Sequence, residues 1–229
     1  MALTGRFRVE YILVLNGDMK GYSIRRTLMN QTAVIIPKVR FSEPRRNLPG
    51  RRGTTTHEDR FTIAFARAYL RQAPEMHRTA KYDTMALARE VAVNGYGIAD
   101  MMVVAWQSLP DERFPAAESF VAVARPCARA FECKLTDWRR AMSQATRYVF
   151  FAHQAIVVLP ETVCVNALPY LDTFRRIRVG LWGYSMATDR ISAHYTPRPS
   201  KPLSMRWHLH AVQCVASIST QALPISRKG

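Results

Sequence analysis

The tetrapeptide Phe131-Glu132-Cys133-Lys134 constrains this chain more than any other feature, because it sets two opposite charges inside a short apolar strand. Side chains alternate across a strand, so Glu132 and Lys134 share one face while Phe131, Cys133 and Leu135 take the other. Charges at such a place are costly to desolvate unless something pairs them, and a divalent cation would do so. Upstream, Asp100 heads a second apolar strand, Met101-Met102-Val103-Val104-Ala105-Trp106, and offers another carboxylate. Two carboxylates suit a hard, oxygen-seeking cation. With one lysine beside an attacking water, the pattern is that of metal-assisted phosphodiester cleavage.

The segments around these strands fall into four parts. Residues 1–41 hold two apolar runs, Val9 to Leu15 and Ala33 to Ile36, read as strands around a basic stretch. This is a small basic N-terminal extension of uncertain fold. Residues 42–56 are rich in Pro, Gly, Arg and Thr and read as a basic linker. A core domain is expected over 57–195 and a tail over 196–229.

Within the core domain, Phe61, Phe65, Ala68 and Tyr69 recur at helical spacing and predict a helix from about Glu58 to Gln72. Met85 to Val93 and Ile98 to Trp106 predict a hairpin closed by Asn94-Gly95-Tyr96-Gly97. A polar connection follows over Gln107 to Pro126, and Ala130 to Leu135 is the third strand. Thr136 or Asp137 caps a helix to about Phe151, and Ala155 to Leu159 is a fourth strand ended by Pro160. A helix near Leu168 to Ile177 and strands at Val179 to Tyr184 and Ile191 to Tyr195 complete the domain. A meander followed by a helical crossover predicts an α/β fold with a mixed central sheet flanked by helices.

Charge narrows the partners. Thirty-three Lys and Arg against seventeen Asp and Glu give a formal net charge of +16. Such an excess favours a polyanion through counterion release, with Arg the usual carrier of phosphate contacts. DNA is the expected partner, and the charge argument admits RNA equally. The four cysteines are scattered without a Cys-x-x-Cys pair, which points away from zinc knuckles and disulfide frameworks. No apolar stretch is long enough to span a bilayer and no secretory pattern opens the chain, so a cytoplasmic protein without a membrane partner is expected. His208 and His210 have same-face strand spacing that would suit a metal site, though an exposed terminal strand explains it better. Trp106 and Trp138 are expected in or beside the core.

Together these residues resemble the PD-(D/E)xK nuclease superfamily, the restriction-endonuclease-like fold, over about Glu58 to Leu159. The resemblance rests on Asp100 opening one strand and Glu132-Cys133-Lys134 on the next. The following helix carries Gln144-Ala145-Thr146-Arg147-Tyr148, which looks like the Gln-x-x-x-Tyr motif of RecB-type exonucleases. An i,i+4 pair lies on one helical face, so Gln144 and Tyr148 point the same way. The element order is that of the family's αβββαβ core. Ala99 stands where the family's name has proline, and the interval between Asp100 and Glu132 is somewhat long.

The resemblance implies that Asp100 and Glu132 ligate Mg²⁺, or Mn²⁺ in its place, with the backbone carbonyl of Cys133. Lys134 would orient the attacking water and offset charge on the scissile phosphate, and Gln144 and Tyr148 would steady Lys134 or the DNA backbone. Glu58 on the first helix is the candidate for a further metal-binding acid, with Glu90 its competitor. Tyr148, Arg139, Arg140 and Arg147 are candidates for nucleic-acid contact. A Mg²⁺-dependent DNA endo- or exonuclease is therefore expected, and such nucleases often act as homodimers. The competing expectation is a catalytically inactive module of the same fold that binds nucleic acid within a larger complex. Taken singly, Asp100 is explained as a strand-start residue bonding an amide, and Glu132 with Lys134 as a same-face ion pair.

Overall fold

The computed structural model describes residues 7–14, 34–41, 56–76, 82, 84–106, 125–218 and 223–224, with side chains described over 56–72, 82, 85–106 and 125–215. The elements are β1 (Phe7–Val14), β2 (Val34–Phe41), α1 (His57–Met76), β3 (Thr84–Val93), β4 (Gly97–Trp106), β5 (Cys127–Cys133), α2 (Trp138–Ala145), β6 (Gln154–Pro160), α3 (Glu161–Ala167), α4 (Leu171–Arg176), β7 (Val179–Ser185), β8 (Arg190–Tyr195), α5 (Met205–Ile218) and β9 (Leu223–Pro224). The protein is α/β, built on a mixed open sheet whose six central strands, β3 to β8, lie in sequence order.

The hairpin β3–β4 turns through Gly95 and Gly97, whose φ angles of +81° and +98° favour glycine. β4 pairs antiparallel with β5, and β5, β6 and β7 run parallel, joined by helical crossovers. Parallel strands are covered on both faces, which is why β6 and β7 are buried almost throughout. β8 returns antiparallel to β7. On the other side, β1 and β2 pair antiparallel, β2 meets β3 at Lys38 and Arg89, and β9 pairs with Thr84 and Met85.

Two apolar layers sandwich the sheet. On one face, Phe61, Phe65 and Tyr69 of α1 pack on Met101, Phe131, Trp182 and Tyr184. Phe65 sits 5.4 Å from Phe131 between ring centroids, an edge-on contact. The other face carries α2, α3, α4 and α5, with Trp138, Ala141, Cys164, Phe174, Ala211 and Val212 against Val157 and Leu181. Trp106 and Trp138 are both buried, as expected.

Several elements differ from the sequence expectation. The third strand stops at Cys133, so Lys134 lies just past its end. The helix capped by Asp137, which accepts from the Arg140 N–H at 2.9 Å, is α-helical only to Ala145 and continues as a 3₁₀ segment over Thr146–Phe150. Helix α3 falls where no element was expected. The segment read as a tail carries α5, whose Ala211, Val212 and Val215 enter the core. His208 and His210 therefore stand on a helix, not a strand. His208 is buried, its Nδ1 is 2.8 Å from the Phe151 carbonyl, and its ring meets His153 edge-on at 4.7 Å. The connection over Gln107 to Pro126 lies outside the described residues as far as 124, as does the linker as far as 55. Among the described residues no helix is long and apolar enough to cross a membrane.

Candidate active site

Asp100 sits where the sheet opens. The β3–β4 ladder pairs Arg89 with Met101 and Val91 with Ala99 but omits the rung between Glu90 and Asp100. The β4–β5 ladder ends at Met101 and Phe131, one step short of Asp100 and Glu132. Glu90 has φ +53°, the left-handed region, which breaks the strand geometry on that rung. The alternation of buried side chains skips at the same place. Ala88 and Val91 face one core layer, and so do Ala99 and Met102. The irregularity leaves room for a carboxylate where a backbone carbonyl would otherwise pair. Asp100 Oδ2 accepts the Cys133 N–H at 2.8 Å.

Three further side chains meet there. Glu132, 1 % exposed, projects from the end of β5. The Lys134 Nζ lies 3.1 Å from Glu132 Oε1, 3.2 Å from Glu58 Oε1 and 3.9 Å from Asp100 Oδ2. It also reaches the Cys133 carbonyl at 3.4 Å. The Lys134 backbone N–H donates to Val158 O at 3.1 Å, extending the β5–β6 pairing by one residue and fixing the stem of the side chain. Glu58 arrives from the first turn of α1. One ammonium thus stands among three carboxylates drawn from a helix and two strands.

The electrostatics follow from burial. Burial, and then the negative charge of Glu132, raise the Asp100 carboxyl to about 7, against the pull of Lys134 and the Cys133 N–H. Glu132 is raised by burial, partly offset by the Tyr148 hydroxyl and by Lys134. Burial alone would lower Lys134, but the carboxylates of Asp100, Glu132 and Glu58 outweigh it and raise the ammonium. The site has more acid than its lysine neutralises.

Tyr148 is placed differently from the expectation. It is 1 % exposed, and its hydroxyl contacts Glu132 Oε2 and lies 2.7 Å from the Ile98 carbonyl. A phenol buried in this way supports Glu132 and presents nothing to a nucleic acid. Tyr148→Phe should cost about 1–3 kcal/mol of stability, the scale for leaving a buried acceptor unsatisfied, and chemical denaturation measures it. Gln144, one turn away, is not brought to Lys134, and its Oε1 is buried without a hydrogen-bond partner. Arg139, Arg140 and Arg147 are exposed on the same helical segment. The Arg139 guanidinium lies 4.4 Å from the Trp138 ring centroid and 5.3 Å from that of Tyr170.

Oxygen donors of this kind fit a hard divalent cation such as Mg²⁺ or Mn²⁺, which would answer carboxylates that burial has stripped of solvation. Asp100 and Glu132, helped by Glu58 and the Cys133 carbonyl, are the residues that would hold it. As the side chains stand, the ammonium takes the space between the acids, and among the described residues no three His, Cys, Asp or Glu enclose a point as metal ligands. Sequence reading missed Arg89 and Asp59 beside the site. Asp59 had a legible signal, since Thr56-x-x-Asp59 is a capping pattern at the start of α1. The chain matches no family model, no curated protein and no solved structure.

Proposed function

We propose that the protein is a divalent-metal-dependent nuclease of the PD-(D/E)xK class that hydrolyses DNA phosphodiester bonds. The observation that carries this reading is the meeting of Asp100, Glu132, Glu58 and Lys134 at the opened end of β4 and β5. The order helix, three strands, helix, strand, with β6 parallel to β5, supports the restriction-endonuclease-like assignment. Bound by Asp100 and Glu132, Mg²⁺ or Mn²⁺ would supply Lewis-acid polarisation of the scissile phosphate. Lys134 holds its proton firmly at neutral pH, so it acts as a hydrogen-bond donor and fixed positive charge. It orients the attacking water and offsets charge developing on the phosphate oxygens. Tyr148 keeps Glu132 in place. The purified chain should cleave DNA with Mg²⁺ and stop with EDTA, and undiminished cleavage by a Glu132→Ala, Lys134→Ala double variant would remove the idea.

DNA contact is assigned to Arg139, Arg140 and Arg147, with the +16 net charge behind them. Arg139 is pre-oriented by the Trp138 and Tyr170 rings, an arrangement lysine reproduces poorly. An Arg139→Ala, Arg140→Ala variant should weaken DNA binding alike for all sequences. The slope of log K against log salt should fall by about 1 for each phosphate that is no longer neutralised. Anisotropy titrations without divalent metal measure both.

One observation favours a second reading, the inactive binding module. The Lys134 ammonium already stands between the acids and neutralises part of their charge. Calorimetry separates the two readings, since a module of this kind takes up no Mn²⁺ even with DNA present.

A further inference from the structure

Arg89 is 2 % exposed, one of the largest fully buried side chains in the protein. A guanidinium keeps its charge when buried, so such a position is costly unless the charge is answered. Here burial lowers its pKa, and the carboxylates of Glu90, Asp59 and Asp100 act against that. Its terminal nitrogen lies 3.7 Å from Asp59 Oδ1, and its Nε is buried with no hydrogen-bond partner. The side chain is neither surface charge nor apolar filler. Its position beneath the start of α1 is the informative point.

Asp59 is held from the other side as well. Its Oδ2 accepts from the Thr56 N–H at 3.0 Å and the Thr56 hydroxyl at 2.9 Å, while the Asp59 N–H donates to Thr56 Oγ1 at 3.1 Å. This reciprocal cap fixes the first turn of α1 internally. Arg89 ties the capped turn to β3. Glu58 is the residue between Thr56 and Asp59 that turns the opposite way, with its carboxylate on Lys134. Glu58 has no anchor of comparable burial, since its side chain is 43 % exposed. An exposed glutamate stays beside a lysine only if its backbone is held.

We infer that Arg89 is a positioning residue: through Asp59 it fixes the first turn of α1 and so sets Glu58 beside Lys134. It touches neither substrate nor metal. The proposal deepens the nuclease reading, which supplies the role of Glu58, yet the placement itself can be read without any metal.

The test uses the full chain, metal-free, with ¹³C-labelled lysine, following the Lys134 Cε–Hε resonance identified by its loss in Lys134→Arg. Glu58→Gln should shift that resonance. Arg89→Met should shift it in the same direction, and the Glu58→Gln, Arg89→Met double variant should move it no further than Glu58→Gln alone, the signature of two residues acting as a unit. Asp59→Asn keeps an acceptor for the Thr56 cap but drops the ion pair, so it repeats the test if Arg89→Met folds poorly, and the same shift is expected. Arg89→Lys should restore part of the wild-type position. An unmoved resonance in both Arg89→Met and Asp59→Asn, additive shifts in the double variant, or no response to Glu58→Gln would each overturn the proposal. Failure of the nuclease reading would look different: the coupled shifts would remain while the wild-type chain neither took up Mn²⁺ nor cut DNA.

Discussion

Asp100→Asn should give a protein more stable than the wild type at pH 8 and, on the nuclease proposal, slower in DNA cleavage by at least about a hundredfold. The amide keeps an oxygen to accept the Cys133 N–H, so the local hydrogen bond survives. It loses a charge that the fold disfavours. The folded carboxyl titrates near 7 while its ordinary value is 3.8. Between those values the folded state holds a proton that the unfolded state has released, so stability falls as pH rises through the window and levels off above it. Removing the acid should therefore add about 1–3 kcal/mol at pH 8, after discounting for the weaker pairing of Lys134, and nothing below pH 4. Cleavage should fall by about a hundred- to a thousandfold or more, the scale for removing one group that stabilises developing charge. Urea denaturation across pH and a plasmid-nicking assay measure the two sides. A structural acid would behave in the opposite way, since its loss would lower stability.

Lys134→Met should have the reverse effect on stability and the same effect on activity. It leaves Glu132, which is buried, and Asp100 without their shared ammonium. Breaking a buried pair by removing one partner costs about 3–5 kcal/mol, and the exposed Glu58 end of this cluster reduces that to about 2–4 kcal/mol at pH 8. The loss should shrink towards pH 5, because Asp100 takes up its proton on the way down and one uncompensated charge disappears. Mn²⁺ should raise the melting temperature of this variant by more than it raises that of the wild type, since binding to the folded state alone stabilises it and the variant has space and excess charge for the ion. Thermal scans with and without Mn²⁺ at both pH values test the point.

Much of the arrangement was legible because local patterns agreed with one another. The apolar spacing of Phe61, Phe65 and Tyr69, the glycine turn after Val93 and the Asp137 cap each specify their element, and the parallel β6 follows from the crossover. Asp100, Glu132 and Lys134 were legible as charges placed among apolar residues. The missing β3–β4 rung at Asp100 was not, because it coincides with Glu90 adopting a left-handed conformation that residue type does not announce. Tyr148 was singled out by its spacing from Gln144, but its contact with a buried acid was not legible, since it depends on how the 3₁₀ segment after α2 seats against β5. Nothing in the strand pattern around Arg89 marked it as a buried charge. Its burial depends on tertiary packing, which spacing along one strand does not show. Helix α5 was hidden by the prolines before it, which read as the start of a tail.

The most direct measurement is a crystal of the full chain grown with Mn²⁺, examined by anomalous scattering at the manganese edge. A peak about 2.0–2.2 Å from carboxylate oxygens of both Asp100 and Glu132, with the Lys134 ammonium moved out from between them, is the predicted result. A cluster that at saturating Mn²⁺ still shows Lys134 bridging the two acids, with no peak beside them, would contradict it.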